Sequence, residues 1–327
     1  MSASPHFQTY TDGLHVIDTG FEREGFDSAY LLVSPEGRAA FIDTGHNAAV
    51  PRLLGTLAAL GLGVEAVDWV IPTHVHLDHA GGAGLLMEQL PNARALIHPR
   101  GARHLINPLA LVEGARAVYG AEVVKATYGD IRPIPAERVV ESHDEMTLQL
   151  GSRTLRLIDT PGHARHHHCI WDEATRGWFT GDTFGISYRE FDSAGGPWLF
   201  PSSTPVQFEP AALRASVARM LAADPAVLFP THFGPITAIA RVTAQFTALL
   251  DRFESGGQAL RESLQREGRF TDRTAVEAEL IAFMERELIA SALASGATLD
   301  EAQVRALLKL DATLNAQGLA VWLAKAG

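Results

Sequence analysis

The sequence predicts a mixed α/β domain followed by an all-helical extension. Three observations carry this reading. Short apolar runs alternate with helix-like segments through the first two-thirds of the 327-residue chain. From about Ile236 onward the apolar spacing is helical throughout. Glycine, proline and aspartate punctuate the first part and thin out in the second. Mixed α/β followed by helices alone reads as a main domain over residues 1–240 and an extension over 241–327.

Leu14–Asp18, Ala29–Val33 and Arg38–Asp43 are short apolar runs separated by turn residues, which predicts strands. Ala48–Leu60 has helical apolar spacing and is closed by Gly61. Val67–Ile71 ends at Pro72 and reads as a buried strand. His79–Leu90 predicts one helix with a glycine-rich start, followed by a strand at Arg94–His98. Leu105–Gly129 reads as an irregular or helical insertion. Met146–Leu150 and Thr154–Asp159, joined by Gly151-Ser152, predict a hairpin. His168–Asp172 and Gly177–Thr180 predict a second strand pair. Pro210–Ala222 predicts a helix and Val227–Phe229 a last strand. The tail predicts helices at about Ile236–Phe253, Ala275–Ala294 and Leu299–Ala324.

Composition excludes several functions. Net charge is −11, with three lysines and no cluster of arginines, so the clustered cations that nucleic acid requires are missing. No apolar run reaches the roughly 18 residues of a membrane span. The polar segment Met1–Gly13 has no signal-peptide core, and the single cysteine, Cys169, fits a reducing cytoplasm. Together these predict a cytoplasmic protein whose partner is a small molecule. Histidine is the unusual residue: of 14, three fall in Thr73–His79 and four in Gly162–His168.

Thr73-His74-Val75-His76-Leu77-Asp78-His79 follows a predicted strand and precedes a helix. In extended chain, side chains at i and i+2 point the same way, so His74 and His76 can meet one ion. Asp78 follows on that side and His79 turns in as the helix begins. Imidazole with carboxylate suits zinc, iron or manganese rather than calcium. Four ligands within six residues exceed the local need of one tetrahedral site, which allows two adjacent ions. Three further strands each end in a turn that delivers a candidate ligand: Pro161-Gly162-His163, Gly181-Asp182 and Thr231-His232.

This set resembles the metallo-β-lactamase superfamily in order and approximate spacing, and Ile42-Asp43-Thr44-Gly45 matches its early aspartate motif. The resemblance covers about residues 10–235. It implies a four-layer αβ/βα sandwich with two divalent ions, zinc first and iron or manganese as alternatives, at one edge. By resemblance, His74, His76 and His163 hold one ion, Asp78, His79 and His232 the other, and Asp182 bridges. Asp43 and His168 would support these ligands from behind. A hydroxide held between two cations is available at neutral pH, so no serine or cysteine nucleophile is needed. The expected activity is hydrolysis of a small ester, lactone, thioester or amide.

His166 and His167 read as structural or surface residues. The long loop Gly185–Phe208 carries Tyr188, Arg189, Phe191, Trp198 and Phe200 soon after Asp182. Tyr188 and Arg189 could bind a substrate oxygen, or the aromatics could pack the domain onto the extension; the sequence does not choose. Apolar stripes in the tail, such as Leu280, Phe283, Met284, Leu288 and Ile289, read as faces hidden within the chain. A homodimer interface or a pocket cap is the alternative. Two other functions keep the same histidine motif: a mononuclear iron persulfide dioxygenase, and a metal-binding regulatory or sensing protein with weak turnover.

Overall fold

A computed structural model describes residues 6–11, 13–203 and 205–325, so residues 1–5 and 12 of the polar N-terminal segment lie outside it. The chain divides into two compact units. The first comprises Met1–Asp159, His166–Gly181 and Ala226–Pro235; the second comprises Thr160–Arg165, Asp182–Pro225 and Ile236–Gly327.

In the first unit, seven strands pair in sequence order. They are β1 (Phe7–Thr11), β2 (Leu14–Asp18), β3 (Ser28–Val33), β4 (Ala39–Ile42), β5 (Val67–Ile71), β6 (Arg94–Ile97) and β7 (Val139–Glu141). Pairing is antiparallel from β1 to β4 and parallel from β4 to β7. Parallel neighbours need crossovers, and helices supply them. α1 (Val50–Ala59) joins β4 to β5, and α2 (Leu77–Ala80) with α3 (Ala83–Gln89) joins β5 to β6. α4 (Pro99–Ile106), α5 (Leu109–Tyr119) and α6 (Ala121–Tyr128) precede β7, so the Leu105–Gly129 insertion is helical.

The second sheet has five strands in the order β12-β11-β10-β9-β8. These are β8 (Met146–Leu150), β9 (Arg153–Asp159), β10 (His168–Asp172), β11 (Gly177–Gly181) and β12 (Val227–Pro230). Alternation explains how the sheets pack. Tyr30, Leu32, Ala40 and Ile42 face a core shared with Leu155, Leu157, Ile170, Phe179 and Phe229 of the second sheet. The intervening Ala29, Leu31, Ala39 and Phe41 face the opposite way, onto Leu53 and Leu57 of α1 and Leu86 and Met87 of α3. Both faces of the central strands are thus buried, which is why they read as continuous apolar runs.

Besides the first tail helix, which runs on to Arg266 past its predicted end near Phe253, two places differ from expectation. The single helix predicted over His79–Leu90 is broken into α2 and α3 at Gly81-Gly82. A Cβ on Gly82 would sit 2.8 Å from the His46 carbonyl oxygen, so the chain crosses here where only glycine fits. The second difference is at the sheet edges, where β1 and β7 were not predicted. β1 is half-exposed and β7 has three residues, so neither has an apolar run to betray it.

Arg153 and Asp172 join β9 to β10 in a buried two-pronged ion pair, Nε–Oδ1 at 2.8 Å and Nη2–Oδ2 at 2.7 Å. Arg153 also donates to the Gly13 carbonyl at 2.6 Å, and Asp172 accepts from Thr175. Removing one partner strands a buried charge. Asp172→Ala is therefore expected to lower unfolding free energy by about 3–5 kcal/mol, measured by denaturant unfolding. A loss below about 1 kcal/mol would show that Arg153 re-solvates.

The second unit holds α7 (Pro210–Leu221), α8 (Ile239–Arg266), α9 (Arg273–Ala294) and α10 (Glu301–Lys325). Asp272 caps α9 by accepting from the Ala275 N–H at 3.1 Å. The buried stripe Leu280, Phe283, Met284, Leu288 and Ile289 is hidden within the chain, as its spacing suggested. These helices hold the loop that follows Asp182. Trp198 Nε1 donates to Ser291 at 3.1 Å, and the Ser203 N–H donates to Asn315 Oδ1 at 2.5 Å. Among the described residues, no helix is long and apolar enough to cross a membrane.

Candidate metal centre

The Thr73–His79 segment leaves β5 at Pro72 and is fixed before α2 begins. Asp43, just beyond β4, does most of the fixing. Its buried carboxylate accepts from the Thr73 N–H at 2.6 Å, from Thr73 Oγ1 at 3.0 Å and from Thr231 Oγ1 at 2.6 Å. His79 Nδ1 lies 3.1 Å from its Oδ2. Asp43 adopts φ 54°, in the left-handed region that aspartate tolerates better than most residues. Thr44 completes the grip by donating its N–H to the His79 carbonyl at 2.8 Å.

Hydrogen bonding sets which imidazole nitrogen is available. With the His79 Nδ1–H given to Asp43, its Nε2 carries the lone pair, 3.7 Å from Asp78 Oδ2. His232 follows the same pattern. Its Nδ1–H is given to the Phe26 carbonyl at 3.1 Å, and its Nε2 lies 3.4 Å from the same Asp78 oxygen. Ligand atoms of Asp78, His79 and His232 all fall within 4.8 Å of one another. Two imidazole nitrogens and a carboxylate oxygen converging on one point is a donor set that fits a divalent transition-metal ion. Beside it, His74 Nε2 and His76 Nδ1 approach to 2.8 Å, as the i, i+2 spacing required.

In the second unit His163 repeats the device. Its Nδ1 is 3.3 Å from the Ser202 carbonyl, and its Nε2 is 3.5 Å from Asp182 Oδ2. Gly162 makes the turn possible. It adopts φ 133°, and a Cβ there would lie 2.3 Å from the Leu213 backbone. Gly181, before Asp182, is equally constrained: a Cβ would collide with His167 Nε2 and Thr73 Oγ1.

The remaining sequence candidates fall in different places. His168 is buried, with Nε2 at 2.9 Å from the Pro72 carbonyl and Nδ1 at 2.8 Å from Ser142 Oγ. Burial drives its pKa down to about 3, so it is neutral. It therefore holds the backbone leading to His74, where a direct hold on a ligand or carboxylate was expected. Tyr188 is buried and its hydroxyl donates to Asp311 at 2.8 Å, within the second unit. Arg189 donates to Ser187 at 3.3 Å and pairs with Asp192 at 3.5 Å.

His166 and His167, read as structural or surface residues, are joined near the site by residues that the sequence did not single out. His167 is fully buried, and its ring stacks on His74 at 4.7 Å. His166 is buried with its ring 5.3 Å from that of His76. Phe26 meets His232 edge-on at 5.2 Å, and Phe21 stacks on Tyr128 at 5.7 Å. Together with Leu77 and Val124 these rings form a small apolar cluster beside Asp78. Asp27 is fully buried, and burial raises its pKa to about 7 while His232 and His79 pull it down.

Comparison with known proteins identifies the family. Residues 12–232 match the model of the metallo-beta-lactamase superfamily. A metallo-beta-lactamase fold-containing protein of Sulfurisphaera tokodaii is 29% identical over 182 residues, 54% of this chain and 64% of that one. A hydroxyacylglutathione hydrolase of Cupriavidus taiwanensis is 31% identical over 166 residues, covering 50% of this chain and 51% of that one. The chain thus spans about half to two-thirds of the length of these relatives. A metallo-beta-lactamase family protein of Thermus thermophilus superposes with a TM-score of 0.62, 21% identity and coverage of 98% of this chain and 95% of that one. The two-sheet α/β sandwich with C-terminal helices is the fold expected from the sequence, its His and Asp clusters can bind metal, and the chain belongs to the metallo-beta-lactamase superfamily.

Proposed function

We propose that this chain is a dinuclear metal-dependent hydrolase that acts on a small ester, lactone, thioester or amide. His74, His76 and His163 hold one ion, Asp78, His79 and His232 hold the other, and Asp182 bridges, with zinc at both positions. The observation that carries the reading is the shared hydrogen-bond pattern of His79 and His232. Each gives its Nδ1–H to a fixed oxygen and turns its Nε2 toward the same Asp78 carboxylate. When bound, such ions supply Lewis acidity and lower the pKa of coordinated water, so a nucleophile exists at neutral pH. Asp43, by holding His79 and both threonines, keeps the ligands from reorganising during turnover. Phe26 walls the His232 side with an apolar surface, which suits a substrate with an apolar acyl group. The similarity to a hydroxyacylglutathione hydrolase supports acyl hydrolysis as the reaction class.

Two measurements test this. Protein purified without chelator is expected to carry about two equivalents of zinc and to hydrolyse members of a panel of lactones and acyl thioesters. One iron, with oxygen uptake on a persulfide, would replace the proposal with a dioxygenase. Metal without turnover would favour a sensing role. Within the panel, Phe26→Ala is expected to raise KM for a long-chain acyl thioester about tenfold, from the lost burial of an aromatic face. An equal KM would remove this ring from the substrate path.

A further inference from the structure

We propose that Asp27 is a positioning residue for the Asp78–His79–His232 corner: its buried carboxylate supplies the negative charge that draws a divalent cation there. This rests on the metal reading above and extends it to a residue outside the ligand set. Asp27 lies just before β3 and is 0% exposed. Its Oδ2 accepts from Thr19 Oγ1 at 3.1 Å, whereas its Oδ1 is buried with no hydrogen-bond partner. A carboxylate oxygen left so is costly, and a folded chain keeps one only where something offsets it.

Its neighbours indicate what does. The Phe26 carbonyl, one residue before, accepts from His232 Nδ1, and the Ser28 N–H, one residue after, donates to the Thr231 carbonyl at 2.8 Å. Asp27 is thus built into the backbone grip that sets the His232 ring. Its oxygens are not among those that converge within 4.8 Å at Asp78, His79 and His232, so it acts through space and is not a ligand. Asp27 lies within electrostatic reach of His232, His79, Asp78 and Asp43. A cation held by the Asp78, His79 and His232 ligand atoms would offset its buried carboxylate, which burial alone makes costly.

The charge can be removed with little change of shape. In Asp27→Asn the amide oxygen can still accept from Thr19. We expect zinc affinity at the weaker of the two positions, measured by competition with a chelating dye, to fall about 10–100-fold. The metal-free protein should at the same time melt at the same or a higher temperature, because a neutral amide is easier to bury. A merely structural aspartate would give the opposite sign in the melt. Thr19→Ala removes the hydrogen bond and keeps the charge, and should leave zinc affinity within about twofold of wild type by the same reasoning. Unchanged zinc affinity in Asp27→Asn, or an affinity loss matched in Thr19→Ala, overturns the proposal while leaving the dinuclear reading intact. A wild type that binds fewer than two ions overturns both.

Discussion

Asp182→Ala is expected to abolish turnover and to lower the content of both metal ions. If Asp182 bridges, its carboxylate serves two cations at once, and losing it weakens both. It is 4% exposed and its Oδ2 lies 3.5 Å from His163 Nε2, so the charge acts where water screens it little. A loss of several kcal/mol of stabilisation corresponds to at least about three orders of magnitude in rate. The fold should survive. What the turn after Asp182 needs from this residue is its backbone carbonyl, which accepts from the Gly185 N–H at 3.0 Å and is untouched by the substitution. The test is metal content by elemental analysis beside turnover and melting temperature. Loss of one ion with the other retained would make Asp182 a terminal ligand. Full metal content with full activity would refute the assignment.

The proposed ligand residues were legible because most stand at a strand end with a local mark. His74 and His76 are two apart in extended chain, and His163, Asp182 and His232 each follow a short apolar run and a turn residue. The central strands were legible for a related reason, since burial on both faces leaves runs such as Ser28–Val33 almost wholly apolar. What supports the ligands was harder to read. Phe26 and Asp27 lie more than 200 residues before His232 and meet it only because β3 carries Ser28 beside the Thr231 backbone. His167 read as a structural or surface residue. It lies before β10 begins at His168, where strand alternation does not yet apply, and its ring turns onto His74. Tyr188 was ambiguous because its hydroxyl partner, Asp311, lies far along the chain.

Asp43→Asn is expected to damage metal binding far more than stability, and the reason is tautomeric. Four donors converge on this carboxylate: the Thr73 N–H, the hydroxyls of Thr73 and Thr231, and the His79 Nδ1–H. Only an acceptor-only group satisfies all of them. An amide must place its NH2 against some of these donors. The Thr73 N–H at 2.6 Å cannot reverse, so the amide oxygen takes that position and the NH2 faces Thr231 and His79. A threonine hydroxyl can rotate to accept. His79 can accept only by moving its proton from Nδ1 to Nε2. That restores the hydrogen bonds and costs on the order of 1–2 kcal/mol in stability. It also puts a proton on the nitrogen that must bind the cation. Affinity at the Asp78–His79–His232 corner should fall by about 10–100-fold or more, as for loss of the group that orients a ligating histidine. Nitrogen NMR of labelled histidine would show the exchanged tautomer directly. Asp43→Ala should behave differently, because it strands several buried donors and requires alanine at φ 54°; a loss of about 3–5 kcal/mol is expected there. If Asp43→Asn keeps both ions and the wild-type His79 tautomer, the carboxylate is a structural anchor for the loop and has no part in preparing the metal ligand.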